Sequence, residues 1–426
     1  MTMRVRGFLM LIVGLALIGL ASCDHYVCGT GPLLGETSCT PSAPGLGGGT
    51  GPTASAAFAY VVDQGGTMDG FGVDTTAGTF TALSSYTAPA IPNADPSTGV
   101  VVAQSQFLYA AFFTTGQIYG WSIDGTTGAL TAISGSPFPA SYLGFVGFSG
   151  YNQTSMITNP AGTLLFVADA GNAEIWVYQI GSTGTLTLAP GSPFSTGTFQ
   201  PWNLTTDGLG KYLYSTFAIG LHQGLTVAAY SIGSTGTLTA VTGSPFTAAP
   251  APGIWAVAGE PSGQYLIGIS GETLATGAAA DDDHLYVFNI QQSGSNAGAL
   301  LLPGTAYSTI YAPFNIAVQP NSSNGEFVYS FSENDSGIGY NGVEGYSLNT
   351  TTGALSAITN SPFSNLTTAA IWGQFDQSGD FLFFYGDSGS VELGVLNAAP
   401  STGQLTDTLS TVPLATTGYW AVTDPQ

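Results

Sequence analysis

The pentapeptide STGTL at Ser182–Leu186 returns unchanged at Ser234–Leu238. Variants of it punctuate the rest of the chain: TAGTF at Thr76–Phe80, TTGAL at Thr126–Leu130, NAGAL at Asn296–Leu300, TTGAL at Thr351–Leu355 and STGQL at Ser401–Leu405. Their central glycines are Gly78, Gly128, Gly184, Gly236, Gly298, Gly353 and Gly403, a period of about 50 to 60 residues. A fixed period of that length marks a repeat architecture. Around the Ser234–Leu238 copy the order of parts is clear. A short inner strand at Trp202–Thr206 is followed by a turn at Asp207-Gly208. A second strand, Tyr212–Phe217, and a third, Leu225–Ile232, come before the glycine turn, and a short fourth strand, Thr237–Ala240, comes after it. A long loop with Gly243-Ser244-Pro245-Phe246 then leads onward; GSPF recurs at Gly135–Phe138 and Gly191–Phe194, and as NSPF at Asn360–Phe363. Seven such units predict an all-β chain, a seven-bladed β-propeller of four-stranded blades.

The two ends of the repeat region agree with a closed ring. The body opens at Ala57–Val62, which reads as a second strand, and finishes at Tyr419–Thr423, YWAVT, which reads as an inner one. The C-terminal strand is therefore expected to complete the first blade, leaving no open edge to invite aggregation.

Composition supports strands and turns. Glycine supplies 60 of 426 residues, charged residues are 7%, and helix-favouring Lys, Arg and Glu are scarce beside Thr, Val, Tyr and Phe. The formal charge is −22, and the only Lys and Arg residues are Arg4, Arg6 and Lys211. Such a chain offers no basic surface to neutralise phosphates, which argues against nucleic acid and against electrostatic docking to anionic lipid.

Residues 1–22 read as an export signal. Arg4 and Arg6 form a basic start, and Phe8–Leu20 is apolar but too short to span a bilayer. Leu20-Ala21-Ser22-Cys23 resembles the bacterial lipobox, in which the cysteine becomes the lipidated first residue. On that resemblance Cys23 is the membrane anchor and the protein sits in the cell envelope, periplasmic or on the surface; an ordinary cleavage site is the other reading. Cys28 and Cys39 then remain as a pair for a disulfide in an oxidising compartment. Residues 40–56 are a Gly/Pro/Ser/Ala tether. The expected division is signal 1–22, anchor and tether 23–56, and propeller 57–426.

Phe107–Asp124, FLYAAFFTTGQIYGWSID, and Leu165–Phe194, LFVADAGNAEIWVYQIGSTGTLTLAPGSPF, resemble the YVTN-type repeats of the seven-bladed propeller lactonase family. The resemblance covers about residues 57 to 426. It implies the blade architecture and, as one activity, lactone hydrolysis; the same repeat also builds non-catalytic surface proteins.

In such rings the loops joining second to third strands share a face with those leading to the next blade. Three of them are enlarged, in consecutive blades. Ala218–Gly224 holds His222. Ser270–Asp283 holds Glu272, Asp281, Asp282 and Asp283, with His284 following. Ser332–Asn341 holds Glu333 and Asp335. One reading is a cation site formed by Glu272, Asp281, Asp282, Asp283 and Asp335, calcium being the ion that oxygen-rich loops suit. Another is water activation by His222, Glu272 or Glu333. The plain alternative is solvated surface acids, with His284 structural. A second set is aromatic. Trp202, Trp255, Trp372 and Trp420 stand at the starts of inner strands, with Phe314 the equivalent in the sixth blade; Tyr142, Phe145 and Phe148 lie in the cluster Phe138–Tyr151. Aromatics near a channel mouth suit a sugar face or a peptide. Repetition with the blade favours inter-blade packing for the tryptophans and leaves the non-repeating cluster as the better binding candidate. No G-x-S-x-G, H-E-x-x-H or Walker loop is present. With no Arg after Arg6, a phosphorylated lactone is a poor substrate. The expectation is a non-catalytic envelope module that binds glycan, peptide or protein. Hydrolysis of a neutral, non-phosphorylated lactone, with a divalent metal, is the alternative.

Overall fold

The computed structural model describes residues 26–30, 37–41, 57–63, 68–83, 97–112, 115–139, 156–217, 225–248, 254–270, 284–310, 313–320, 326–332, 342–363, 370–376, 378–387, 391–414 and 418–423. The chain divides into two compact units, 1–46 and 47–426. In the first, Tyr26–Thr30 and Thr37–Pro41 form an antiparallel hairpin whose register sets Cys28 opposite Cys39. Cys23 lies outside the described residues.

The second unit is the expected ring: seven antiparallel blades of four or five strands. Blade 4 shows the plan, with inner strand Pro201–Thr206, second Tyr212–Phe217, third Leu225–Ile232 and outer Leu238–Ala240. Closure also follows the expectation. The C-terminal strand Gly418–Val422 pairs with Ala57–Asp63, so blade 1 takes its inner strand from the far end of the chain. Phe58 N–H donates to Thr423 Oγ1 at 2.8 Å, and Thr423 N–H returns a bond to Phe58 O at 2.8 Å. Blade 7 meets blade 1 at the rim as well, where Phe80 N–H donates to Ser410 Oγ at 3.1 Å.

The recurring glycine is explained by its neighbour, one blade back. All seven central glycines have positive φ, from 65° at Gly78 to 89° at Gly298. A Cβ on Gly298 would stand 2.4 Å from the ring of Tyr212, and one on Gly128 would stand 2.6 Å from Phe58. Each turn is thus pressed against the first residues of the preceding blade's second strand, and a side chain has neither the backbone conformation nor the space. In four of the turns the glycine carbonyl is held across the seam by a second-strand tyrosine. Tyr60, Tyr109, Tyr214 and Tyr329 donate their hydroxyls to the carbonyls of Gly128, Gly184, Gly298 and Gly403 at 2.7, 2.6, 3.0 and 2.7 Å. Burial pushes the Tyr109, Tyr214 and Tyr329 hydroxyls well above the usual tyrosine range, so they stay neutral donors. Tyr214→Phe is expected to leave the Gly298 carbonyl unsatisfied and to cost about 1–2 kcal/mol in urea unfolding. A cost near zero would mean that the bond is not made.

The apolar core follows the same logic. Among the described residues it falls into seven clusters, each shared by two adjacent blades. Blades 7 and 1, for example, pool Phe381, Phe383 and Leu393 with Ala57, Ala59 and Val61. Among the described residues no cluster lies within a single blade.

GSPF, expected to be loop, is partly strand. Phe138–Pro139, Phe194–Ser195 and Phe246–Ala248 pair back onto the third strand of their own blade. The motif serine drives this: Ser136, Ser192, Ser244 and Ser361 accept the N–H of Gly120, Val177, Ala229 and Gly345 in the third strands at 3.0, 2.9, 2.9 and 2.9 Å. In blades 2 and 6 its phenylalanine fills the room left by a strand glycine, since a Cβ on Gly120 would lie 3.1 Å from Phe138 and one on Gly345 would lie 2.7 Å from Phe363. Blades 5 and 7 lack the motif and have unbroken outer strands instead, Leu300–Ser308 and Leu405–Pro413.

Candidate functional site

The antiparallel meander gives the ring two unlike faces. On one lie the inner-to-second and third-to-outer connections; on the other, the second-to-third loops and the links between blades.

On the first face the turns are tight and their polar groups are used locally. Asp74 Oδ1 accepts the N–H groups of Thr76 and Ala77 at 2.8 and 3.0 Å, and Asp124 Oδ1 those of Thr126 and Thr127 at 3.0 and 2.8 Å. Asn349 does the same for Thr351 and Thr352. The bonds from Thr127 and Thr126 hold the Asp124 carboxyl below the usual carboxylate range. At the inner turns Asp207 accepts the N–H groups of Lys211 and Tyr212 at 2.6 and 2.8 Å, and Asp376 accepts those of Gly379 and Phe381 at 3.1 Å each. Burial raises the Asp207 carboxyl, against the pull of those bonds and of Lys211. These four aspartates are therefore spent on turn chemistry.

The strand ends that bound the longer loops lie on the opposite face. Phe217 and Leu225, Ser270 and His284, and Ser332 and Val343 are the strand ends that bound the three enlarged loops of blades 4, 5 and 6. His222, Glu272, Asp281, Asp282, Asp283, Glu333 and Asp335 lie outside the described residues, as do Tyr142, Phe145 and Phe148. Among the described residues no group of three or more His, Cys, Asp or Glu side chains could hold a metal ion.

His284 is described, half-buried at the root of its loop. Its N–H donates to Ser270 Oγ at 3.2 Å, the same hydroxyl donates to His284 O at 3.2 Å, and Nε2 lies 3.2 Å from Ser308 Oγ. These contacts tie three strand ends of blade 5 together and give His284 a structural task.

The tryptophans do not form one equivalent set. Pairing shifts at Trp202–Asn203 in blade 4, at Trp255 in blade 5 and at Phe314 in blade 6, so these residues share a place in the blade. In blade 7 the shift falls at Ile371 and Trp372 follows it; Trp420 lies in an inner strand paired without a shift, opposite Val61. Trp202 is buried, and Trp372 packs into the core of blades 7 and 1, 6.3 Å edge-on from Phe314. The side chains of Trp255 and Trp420 lie outside the described residues.

Several polar residues on or beside this face were not singled out in the sequence. Asn203 Oδ1 accepts Val257 N–H at 3.0 Å and Asn315 Oδ1 accepts Gly373 N–H at 3.2 Å, joining inner strands of blades 4 to 5 and 6 to 7. The signal was present as aromatic-Asn-aliphatic, WNL at Trp202–Leu204 and FNI at Phe314–Ile316. Glu344, 3% exposed, takes Ile310 N–H on both oxygens at 2.9 and 3.1 Å and the Tyr346 hydroxyl at 2.5 Å. It thereby pins the link between blades 5 and 6. Asp169 closes the short blade 3 loop through Asn172 N–H and Nδ2 at 3.1 and 2.8 Å.

No known family model matches the chain, and no curated protein matches it. Solved structures do. A 6-phosphogluconolactonase candidate from Bacteroides uniformis superposes with a TM-score of 0.60 at 16% identity, over 87% of this chain and 99% of its own. The periplasmic gluconolactonase of Pseudomonas aeruginosa gives 0.57 at 15% identity, over 87% and 98%. The chain shares the fold of the gluconolactonase propellers. A protein from Lactobacillus plantarum has it too, with a TM-score of 0.59 at 16% identity over 87% and 99%. Identities this low speak for the architecture; activity has to be argued from the site. Among the described residues no helix is long and apolar enough to cross a membrane.

Proposed function

We propose that this chain is a membrane-anchored, extracytoplasmic binding module that takes a glycan, peptide or protein ligand on the loop-bearing face of its propeller. One observation carries the reading: the strand ends that bound three enlarged loops, in the consecutive blades 4, 5 and 6, lie on a single face, while the turns described on the other are closed upon themselves. Tyr142, Phe145 and Phe148 supply the aromatic grip, and Glu272, Asp281, Asp282, Asp283 and Asp335 supply oxygens for calcium. Cys23 carries the lipid. Cys28 and Cys39, facing one another in the hairpin register, close a disulfide.

The test is binding of the purified protein to glycan and peptide arrays. A ligand that is captured by the parent, lost in Tyr142→Ala/Phe145→Ala and retained in the turn-face variant Asp74→Asn supports the reading. Capture that survives the aromatic changes would contradict it.

Hydrolysis of a neutral lactone is a second reading, favoured by neighbours whose names describe gluconolactonases. Lys211 lies at an inner turn, on the face opposite the loops, so a phosphorylated substrate would find no described Lys or Arg beside them. Turnover of gluconolactone that is abolished by Glu272→Gln or Glu333→Gln would favour this reading over the first.

A further inference from the structure

Among the described residues, most exposed large apolar side chains lie on outer strands, as Leu188, Leu301, Leu302 and Leu409 do. Leu209 lies at an inner turn on the tight-turn face. Two stand on the loop-bearing face, Phe199 and Ile310, 38% and 62% exposed. Phe199 is in the link that enters blade 4, and Ile310 is in the link that enters blade 6. Apolar residues exposed singly are ordinary. These two are set apart by what holds them.

Each rides on a link that buried polar groups fix in place. Thr196, itself buried, donates its N–H to Ala173 O at 2.8 Å. Its hydroxyl is shared between that carbonyl, at 2.8 Å, and Phe199 O. Ala173 has φ 55°, a left-handed backbone that a residue with a Cβ adopts at a cost. The fully buried Asp169 closes the loop that carries Ala173, through Asn172. Phe199 then rests on Phe217, ring centroids 4.7 Å apart, at the root of the blade 4 loop. In the other link, both oxygens of the buried Glu344 take the Ile310 N–H, and Glu344 is held in turn by the Tyr346 hydroxyl. Two buried carboxylates and one strained residue cost free energy. What they secure, in both links, is an apolar side chain facing water in a fixed place.

We propose that Phe199 and Ile310 are preorganised anchors for a peptide ligand that presents apolar side chains beside basic ones. The inference rests on the binding-module reading and names the ligand class. Ile310 selects peptide over glycan, because a branched aliphatic side chain has no flat face to lay on a sugar ring. Charge selects the basic flank. The chain carries a formal −22, and its only Lys or Arg after Arg6 is Lys211, at an inner turn on the opposite face. Glu174, partly exposed, pairs in register with Ser195 at the foot of the Phe199 link, where a basic side chain next to the anchored one would meet it. Anchors already held in place bind without an ordering cost of their own.

Two fluorescein-labelled peptides of equal length and charge test this by fluorescence anisotropy, one alternating Lys and Leu, the other Lys and Ser. The Lys-Leu peptide is expected to bind the parent about tenfold more tightly than the Lys-Ser peptide. Phe199→Ala and Ile310→Ala should each weaken the Lys-Leu peptide by about tenfold, the worth of one buried apolar side chain. Leu302→Ala and Leu409→Ala, on outer strands, should leave it unchanged. Ile310 is the more exposed of the two anchors, so its variant reads binding free of any folding defect. Equal affinity for the two peptides, no binding of either, or affinity indifferent to either anchor would overturn the proposal. Tyr142→Ala/Phe145→Ala then separates the two ideas. Lys-Leu binding lost there but not at the anchors keeps the loop-bearing face as a site and removes Phe199 and Ile310 from it. Binding lost at neither place removes both.

Discussion

Removing residues 418–426 is expected to abolish cooperative folding. The deletion takes the inner strand of blade 1, five backbone pairs with Ala59–Asp63 and the Phe58–Thr423 clasp. It also exposes the fully buried Tyr60 and Val62 and leaves an unpaired edge inside the channel. The loss is on the order of a domain's entire net stability, about 5–15 kcal/mol. Circular dichroism should show no sharp melt, and size exclusion should show aggregate. A truncated chain that elutes as a monomer and melts within a few degrees of the parent would show that the ring does not depend on this closure.

The second large effect is at a single glycine, and the chain contains its own control. Gly298 and Gly294 have nearly the same backbone, φ 89° and 86°. A Cβ on Gly298 would meet Tyr212 at 2.4 Å, whereas one on Gly294 would meet nothing within 4 Å. Gly294→Ala therefore carries only left-handed backbone strain, about 1 kcal/mol. Gly298→Ala adds the clash with blade 4 and displaces the acceptor of the Tyr214 hydroxyl, for about 3–4 kcal/mol in all. Denaturant midpoints measure both. Equal costs would mean that the repeated glycine serves turn geometry alone and not the seam between blades.

That contrast also marks what could be read from the chain. Turns and strands are local: Gly236 with its flanking alternation placed blade 4 to within a residue, and YWAVT at the C-terminus foretold the closure. The partners across a seam are not local. Tyr60 finds Gly128 68 residues away, and Tyr214 finds Gly298 84 residues away. Nothing in the pentapeptide names the tyrosine. The same limit hid Glu344, whose partner Ile310 is 34 residues upstream in the link that leaves blade 5. The tryptophans differ for another reason: a pairing shift at Ile371 moves Trp372 one place from the position that Trp202 takes in blade 4, into the core that blades 7 and 1 share. The aromatic and acidic loop residues carry no period at all, so the sequence could mark their face but not their arrangement.

Calorimetric titration of calcium into the protein tests most directly whether the loop-bearing face is a site. Saturable binding is predicted, lost in Glu272→Ala, Asp282→Ala and Asp335→Ala, and unchanged in Asp74→Asn on the turn face. Absence of binding heat, or equal binding by all four variants, would contradict the account and leave the loop acids as solvated surface.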